Sequence, residues 1–134
     1  MNHETSFGFT KIVVDDLDGI AAFYERTMGF RQFQRVHDTV AGEPIEEIIL
    51  IHGEQMGQSV PLIVWKWPDR PAPADSDVIL GFQTRDLDAL VSRVTDAGGE
   101  VIEAPHDKPD HGVRVAFARD PEGRLLELVQ MLDA

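Results

Sequence analysis

Apolar residues recur along this chain in two rhythms, one of period two and one of three to four, and the order of the rhythms repeats. Residues 7–14 form an apolar, strand-like run, and after Asp16 the apolar positions Ile20, Phe23, Tyr24 and Met28 follow the spacing of one buried helix face. Asp16-Leu17-Asp18 recurs as Asp86-Leu87-Asp88 and Gly29 as Gly99, an offset of 70 residues. The second triplet again follows a strand-like run, residues 78–84, and precedes helical spacing at Leu87, Leu90, Val91 and Val94. Asp16 and Asp86 are the expected N-caps, with Asp18 and Asp88 suiting the positive end of each helix dipole. Both helices should stop at glycine, at Gly29 and at the Gly98-Gly99 pair. Three more strands are expected in each half: residues 31–38, 46–52 and 61–67, then 100–104, 112–119 and 125–130. Turn chemistry separates them in residues 41–44, 53–57 and 120–123, the last with Pro and Gly placed for a type I turn.

The order is therefore βαβββ, linker, βαβββ, an α+β arrangement of modules at about 7–67 and 77–131, with the proline-bearing residues 68–76 as the linker. Neither half has enough strands to close a cup, so the two should pack together or exchange with a partner chain. At 134 residues the chain is one domain's worth, and 43% hydrophobic residues supply a core. The absence of cysteine excludes disulfides, a thiolate nucleophile and cysteine-ligated metal. A net charge of −12 opposes binding to phosphate backbones or anionic lipid. No apolar run approaches the roughly 20 residues of a spanning helix, and no basic-then-apolar leader opens the sequence, so a soluble cytoplasmic protein is expected. A small-molecule protein or an interaction module remains.

Three stretches carry a family resemblance. These are Val14-Asp15-Asp16-Leu17 leading to Phe23-Tyr24 and Met28-Gly29-Phe30, then Arg85-Asp86-Leu87-Asp88, and the run from Phe117 through Asp120-Pro121-Glu122-Gly123 to Leu126-Glu127-Leu128. In them the chain resembles the vicinal oxygen chelate superfamily, the group of glyoxalase I, bleomycin-resistance proteins and extradiol dioxygenases. The resemblance implies two modules forming an open eight-stranded cup. It also implies, in metal-using members, ligands on the first and fourth strands of each module. Eight residues before the Leu of each Asp-Leu pair, where histidine is expected, stand Phe9 and Ile79, and the first-module carboxylate falls at about Val64. Only Glu127 keeps a ligand-type side chain, and one carboxylate cannot hold an ion against water, so no metal and no other cofactor is expected.

Alternation along the strands then assigns a cavity lining. Phe7, Phe9 and Lys11 share one face, as do Leu62, Val64 and Lys66, Ile79, Gly81 and Gln83, and Leu125, Glu127 and Val129. This suits an organic ligand oriented by a few polar contacts, with Lys11, Lys66, Gln83 and Glu127 as those contacts. Glu127, among apolar neighbours, is either a general base raised by desolvation or a relic satisfied by Lys11, Lys66 or water. Lys11 either holds an anionic group or enolate or reaches solvent along its stem. His106 and His111 bracket a polar loop at the cup's mouth, where His111 is a candidate acid, base or ligand contact and a solvated loop is the alternative. His37 and His52 fall in strands, and His3 in the terminal segment. Trp65 and Trp67 point away from the ligand face by this parity; a shift of one residue would bring them onto it as a stacking platform.

The leading expectation is a homodimeric, metal-independent protein that binds or sequesters a small, mostly apolar molecule. A lyase or isomerase using Glu127 as general base, with Lys11 or a loop histidine, is the alternative. A divalent-metal enzyme of the lactoylglutathione lyase or dioxygenase kind is the third.

Overall fold

The computed structural model describes residues 4–74 and 78–133. His3 and the end of the expected linker at Asp75 and Ser76 lie outside the described residues. The elements run β1 (Thr10–Val13), α1 (Leu17–Met28), β2 (Arg31–Val40), β3 (Glu43–Ile51), β4 (Leu62–Lys66), β5 (Leu80–Gln83), α2 (Leu87–Asp96), β6 (Glu100–Lys108), β7 (Val113–Arg119) and β8 (Leu125–Met131). Two four-stranded sheets result, in the orders β1-β4-β3-β2 and β5-β8-β7-β6. In each, the first strand of the module runs parallel to the fourth and the other pairs are antiparallel. The repeat read from the sequence is thus a repeat of topology.

Local chemistry sets the boundaries. The Asp16 carboxylate accepts from the Gly19 amide at 3.0 Å and that of Asp86 from the Ala89 amide at 3.1 Å, capping α1 and α2. Gly29, with φ +74°, follows the last residue of α1 in the left-handed region where glycine carries no Cβ penalty. The turn expected over residues 41–44 is shorter: Ala41 and Gly42 both take positive φ, and Glu43 pairs directly with Val40. Glu43 and Pro44 are therefore the start of β3. The polar loop expected from His106 to His111 is also shorter, because β6 continues through Lys108 opposite Val113, with two irregularities in its ladder. Only Pro109–His111 forms a single 3-10 turn, closed by Gly112 in the left-handed region.

Compactness divides the chain differently from the repeat. The chain up to Ala21 groups with Gly29–Pro73, and Ala22–Met28 groups with the chain from Ala74 onward. In the first unit Ile12, Val64 and Ile48 are neighbours in register and fully or nearly fully buried. In the second, Ala116, Ala118, Leu126 and Leu128 form the buried face, and α2 packs on β6, β7 and β8 through Leu87, Leu90 and Val94.

The tail of α1 belongs to the second unit because of a buried polar knot. The Tyr24 hydroxyl donates to Asp120 Oδ2 at 2.6 Å, and Arg124 Nη1 donates to the same oxygen at 2.7 Å. Asp120 Oδ1 accepts from the amides of Glu122 and Arg124 at 2.9 and 3.0 Å. The Gly123 amide donates to the Asp120 carbonyl at 2.8 Å, closing the expected turn between β7 and β8. A carboxylate with no solvent exposure is tolerable only when its oxygens are satisfied in this way.

Two outcomes follow from this knot. Burial, and then the Asp120 charge beside it, push the Tyr24 phenol far above its ordinary value near 10. The unfolded chain loses the phenolic proton near pH 10 and the folded chain keeps it, so this contribution to stability is whole below about pH 10 and falls as pH rises beyond it. Because Tyr24 is the single tyrosine, tyrosinate absorbance should appear only with alkaline unfolding, and a tyrosinate signal from folded protein near pH 10 would contradict the burial argument. Asp120→Ala leaves the Arg124 guanidinium and the Tyr24 hydroxyl buried without their acceptor, and should cost about 3–5 kcal/mol in denaturant unfolding.

Candidate functional site

Each module's sheet has a second face, opposite the one that carries Val64 in the first module and Leu126 and Leu128 in the second, and the strand registers decide which side chains share it. In the first module Lys11 is paired with Ile63 and Val13 with Trp65, and β3 sets Glu47 beside Trp65 and Ile49 beside Ile63. The face therefore carries Lys11, Ile63, Trp65, Glu47 and Ile49. Val64 and Lys66 do not lie on it: Val64 is 0% exposed in line with Ile12 and Ile48, and the Lys66 ammonium donates to the Asp15 carbonyl. This corrects the parity expected for β4. All five residues of Leu62–Lys66 except the last are buried, so apolarity carries no phase there, and only pairing with β1 fixes it.

The corrected register joins aromatic rings to cations. Lys11 Nζ stands 4.4 Å from the centre of the Trp65 ring and 5.4 Å from that of Phe9, while Glu47 Oε1 accepts its hydrogen bond at 2.9 Å. Trp65 and Trp67 meet edge to face at 5.2 Å. Arg70 lies 4.1 Å above Trp67 and pairs with Glu43. Lys11 is an exposed residue whose ammonium is engaged by Glu47. The Trp65 indole N–H is buried and meets no acceptor among the described residues. Glu43 and Glu47 escaped the sequence reading, although their four-residue spacing on a strand places them on one face, the face on which the register with β4 also sets Trp65.

In the second module the expected parity holds. Gly81 pairs with Glu127 and Gln83 with Val129, and β7 adds Phe117 beside Glu127 and Val115 beside Val129. The Glu127 side chain is half-buried and makes no hydrogen bond or ion pair with another described residue. A Cβ built on Gly81 would meet nothing within 4 Å, so the space beside that carboxylate is open. His111 ends the 3-10 turn as an exposed side chain, and His106 lies in β6 with Nδ1 2.9 Å from the Ala104 carbonyl.

Phe7 and Phe9 precede β1 and Ile79 precedes β5. Phe9 is 52% and Ile79 57% exposed, at equivalent places in the two repeats, and neither carries a donor atom for a metal. Lys11 and Gly81 are also equivalent across the 70-residue offset, so the first-module counterpart of Glu127 is Ile63, another residue without a donor. No group of three His, Asp or Glu among the described residues is placed to hold an ion. The donor chemistry does not fit the divalent site of metal-using relatives. No helix among the described residues is long and apolar enough to cross a membrane.

Comparison with known proteins places this geometry. The chain is 34% identical over 59 residues to the uncharacterized protein YraH of Bacillus subtilis, covering 44% of this chain and 46% of that protein. It is 26% identical over 122 residues to a lactoylglutathione lyase of Arabidopsis thaliana, covering 87% of this chain and 41% of that one. It spans less than half the length of either relative. Among solved structures, a glyoxalase family protein from Bacillus cereus superposes with a TM-score of 0.82 at 20% identity, over 98% of this chain and 97% of that one. Residues 6–128 match the model of one family, and the chain belongs to the Glyoxalase/Bleomycin resistance protein/Dioxygenase superfamily.

Proposed function

We propose that this superfamily member binds a small, largely apolar organic molecule without a metal, on the sheet face of its second module that carries Gly81 and Glu127. The supporting observation is the open space at Gly81 beside a carboxylate that no described side chain satisfies. Around it stand Phe117, Val129 and Gln83, an apolar lining with one charged and one amide contact, the composition that orients an organic ligand. Sequestration needs no more than this. A proton-transferring lyase or isomerase is the second reading, favoured by the same unpaired Glu127, which is free to accept a proton from carbon next to a carbonyl. Lys11 has no part in that reading while Glu47 holds it. The proposal includes a homodimer, since Phe7, Phe9 and Val60 are large exposed apolar residues of one unit, and a cytoplasmic setting, which suits a chain without cysteine.

Substitution separates these readings. Gly81→Val fills open space, so folding should survive while ligand stabilisation in a thermal-shift screen disappears; retained stabilisation would move the ligand elsewhere. Glu127→Gln should keep binding, and should lose turnover by a factor on the order of 10² to 10⁴ if the carboxylate is a general base. Equilibration with nickel, zinc, iron or manganese followed by dialysis should leave no stoichiometric ion, and one retained per chain would restore the metal-dependent reading.

A further inference from the structure

A separate cleft opens at the carboxyl ends of the parallel strands β5 and β8. Its volume is about 390 Å³, and Gln83, Thr84, Arg85, Gln130, Met131 and Asp133 line it. That size lies at the low end of small-molecule sites, roughly 300 to 1,000 Å³. The polar groups of the lining are sorted by what already holds them. Thr84 Oγ1 accepts from the Asp86 amide at 3.2 Å, and Gln130 Oε1 accepts from the Leu87 amide at 2.8 Å. The second bond fixes the orientation of the Gln130 amide and leaves its NH₂ as the end free to donate. The Arg85 guanidinium and the Asp133 carboxylate are exposed and make no hydrogen bond or ion pair with any described residue.

A cleft with a free planar cation, a free carboxylate, amide donors and an exposed thioether selects among ligand classes. A simple anion would meet Asp133 as a like charge, and a simple cation would meet Arg85. A neutral apolar molecule would leave both ions without partners. We infer that this cleft is a binding site for a small zwitterion, a free α-amino acid or dipeptide, whose carboxylate pairs with Arg85 and the Gln130 amide and whose ammonium pairs with Asp133. A guanidinium fork matches a carboxylate in two parallel hydrogen bonds, which makes Arg85 the specificity-determining group. Met131, 54% exposed, offers a soft apolar contact for a side chain of the ligand. The assignment requires nothing of Glu127 or Gly81, so it stands apart from the apolar face.

The test is calorimetric titration of the full chain with leucine and leucyl-leucine, each beside its N-acetylated and its C-amidated form. At least one free zwitterion should bind. Acetylation, which removes the ammonium, and amidation, which removes the carboxylate, should each weaken it by about tenfold or more. Arg85→Gln should abolish the preference for a free carboxylate and Asp133→Asn the preference for a free ammonium. Both residues are exposed and without described partners, so neither change threatens folding, while Glu127→Gln should leave the affinity unaltered. Absence of binding by every free zwitterion at millimolar concentration, or binding indifferent to both Arg85→Gln and Asp133→Asn, overturns the assignment. A loss of affinity in Glu127→Gln overturns its independence from the apolar face.

Discussion

The fully buried carboxylate of Asp120 is the contact on which the second unit depends. One of its oxygens takes a phenol and a guanidinium and the other takes two backbone amides, so a single side chain ties the tail of α1, the turn between β7 and β8 and the start of β8. An ion pair taken out of water has no strong claim to net stability, because desolvation offsets most of the Coulombic gain. Its consequence is geometric. With Tyr24 and Arg124 both committed, β8 enters the sheet in one register, and that register sets Glu127 beside Gly81 and Phe117. Gly99 reinforces the same region: a Cβ there would lie 2.8 Å from the Arg119 carbonyl oxygen and 2.7 Å from Val94, so the approach to β6 is closed to other residues.

What could be read in advance follows from how much information each strand's alternation contains. On β8 the even positions Leu126 and Leu128 are wholly buried while Glu127 is not, so polarity marks the phase and the face was legible. On β4 both faces are covered, the sequence is apolar at nearly every position, and the phase comes from hydrogen bonding to β1, which sequence does not display. That one-residue difference moved Val64 into the core and brought Trp65 onto the face with Lys11. The caps at Asp16 and Asp86 were legible because a cap is local chemistry. The knot around Asp120 was not, although the Asp-Pro-Glu-Gly-Arg run was conspicuous, because Tyr24 lies 96 residues away along the chain.

The two repeats share topology and differ in chemistry row by row. Across the first, third and fourth strands of the first module one row reads Lys11, Ile49, Ile63; the equivalent row of the second reads Gly81, Phe117, Glu127. In the first the charge stands on the leading strand, and Glu47 and the Trp65 ring engage it. Glycine replaces that cation in the second, and the half-buried carboxylate on the closing strand has no lysine partner among the described residues, with open space at Gly81. A specific polar contact to a ligand requires a group that the folded chain has not already engaged, in addition to the apolar surface that the ligand covers. By that criterion the charge in the first-module row is engaged by Glu47, and the carboxylate in the second-module row is engaged by no described residue. The divergence between repeats, more than the fold they share, is what the proposed placement of recognition in the C-terminal half rests on.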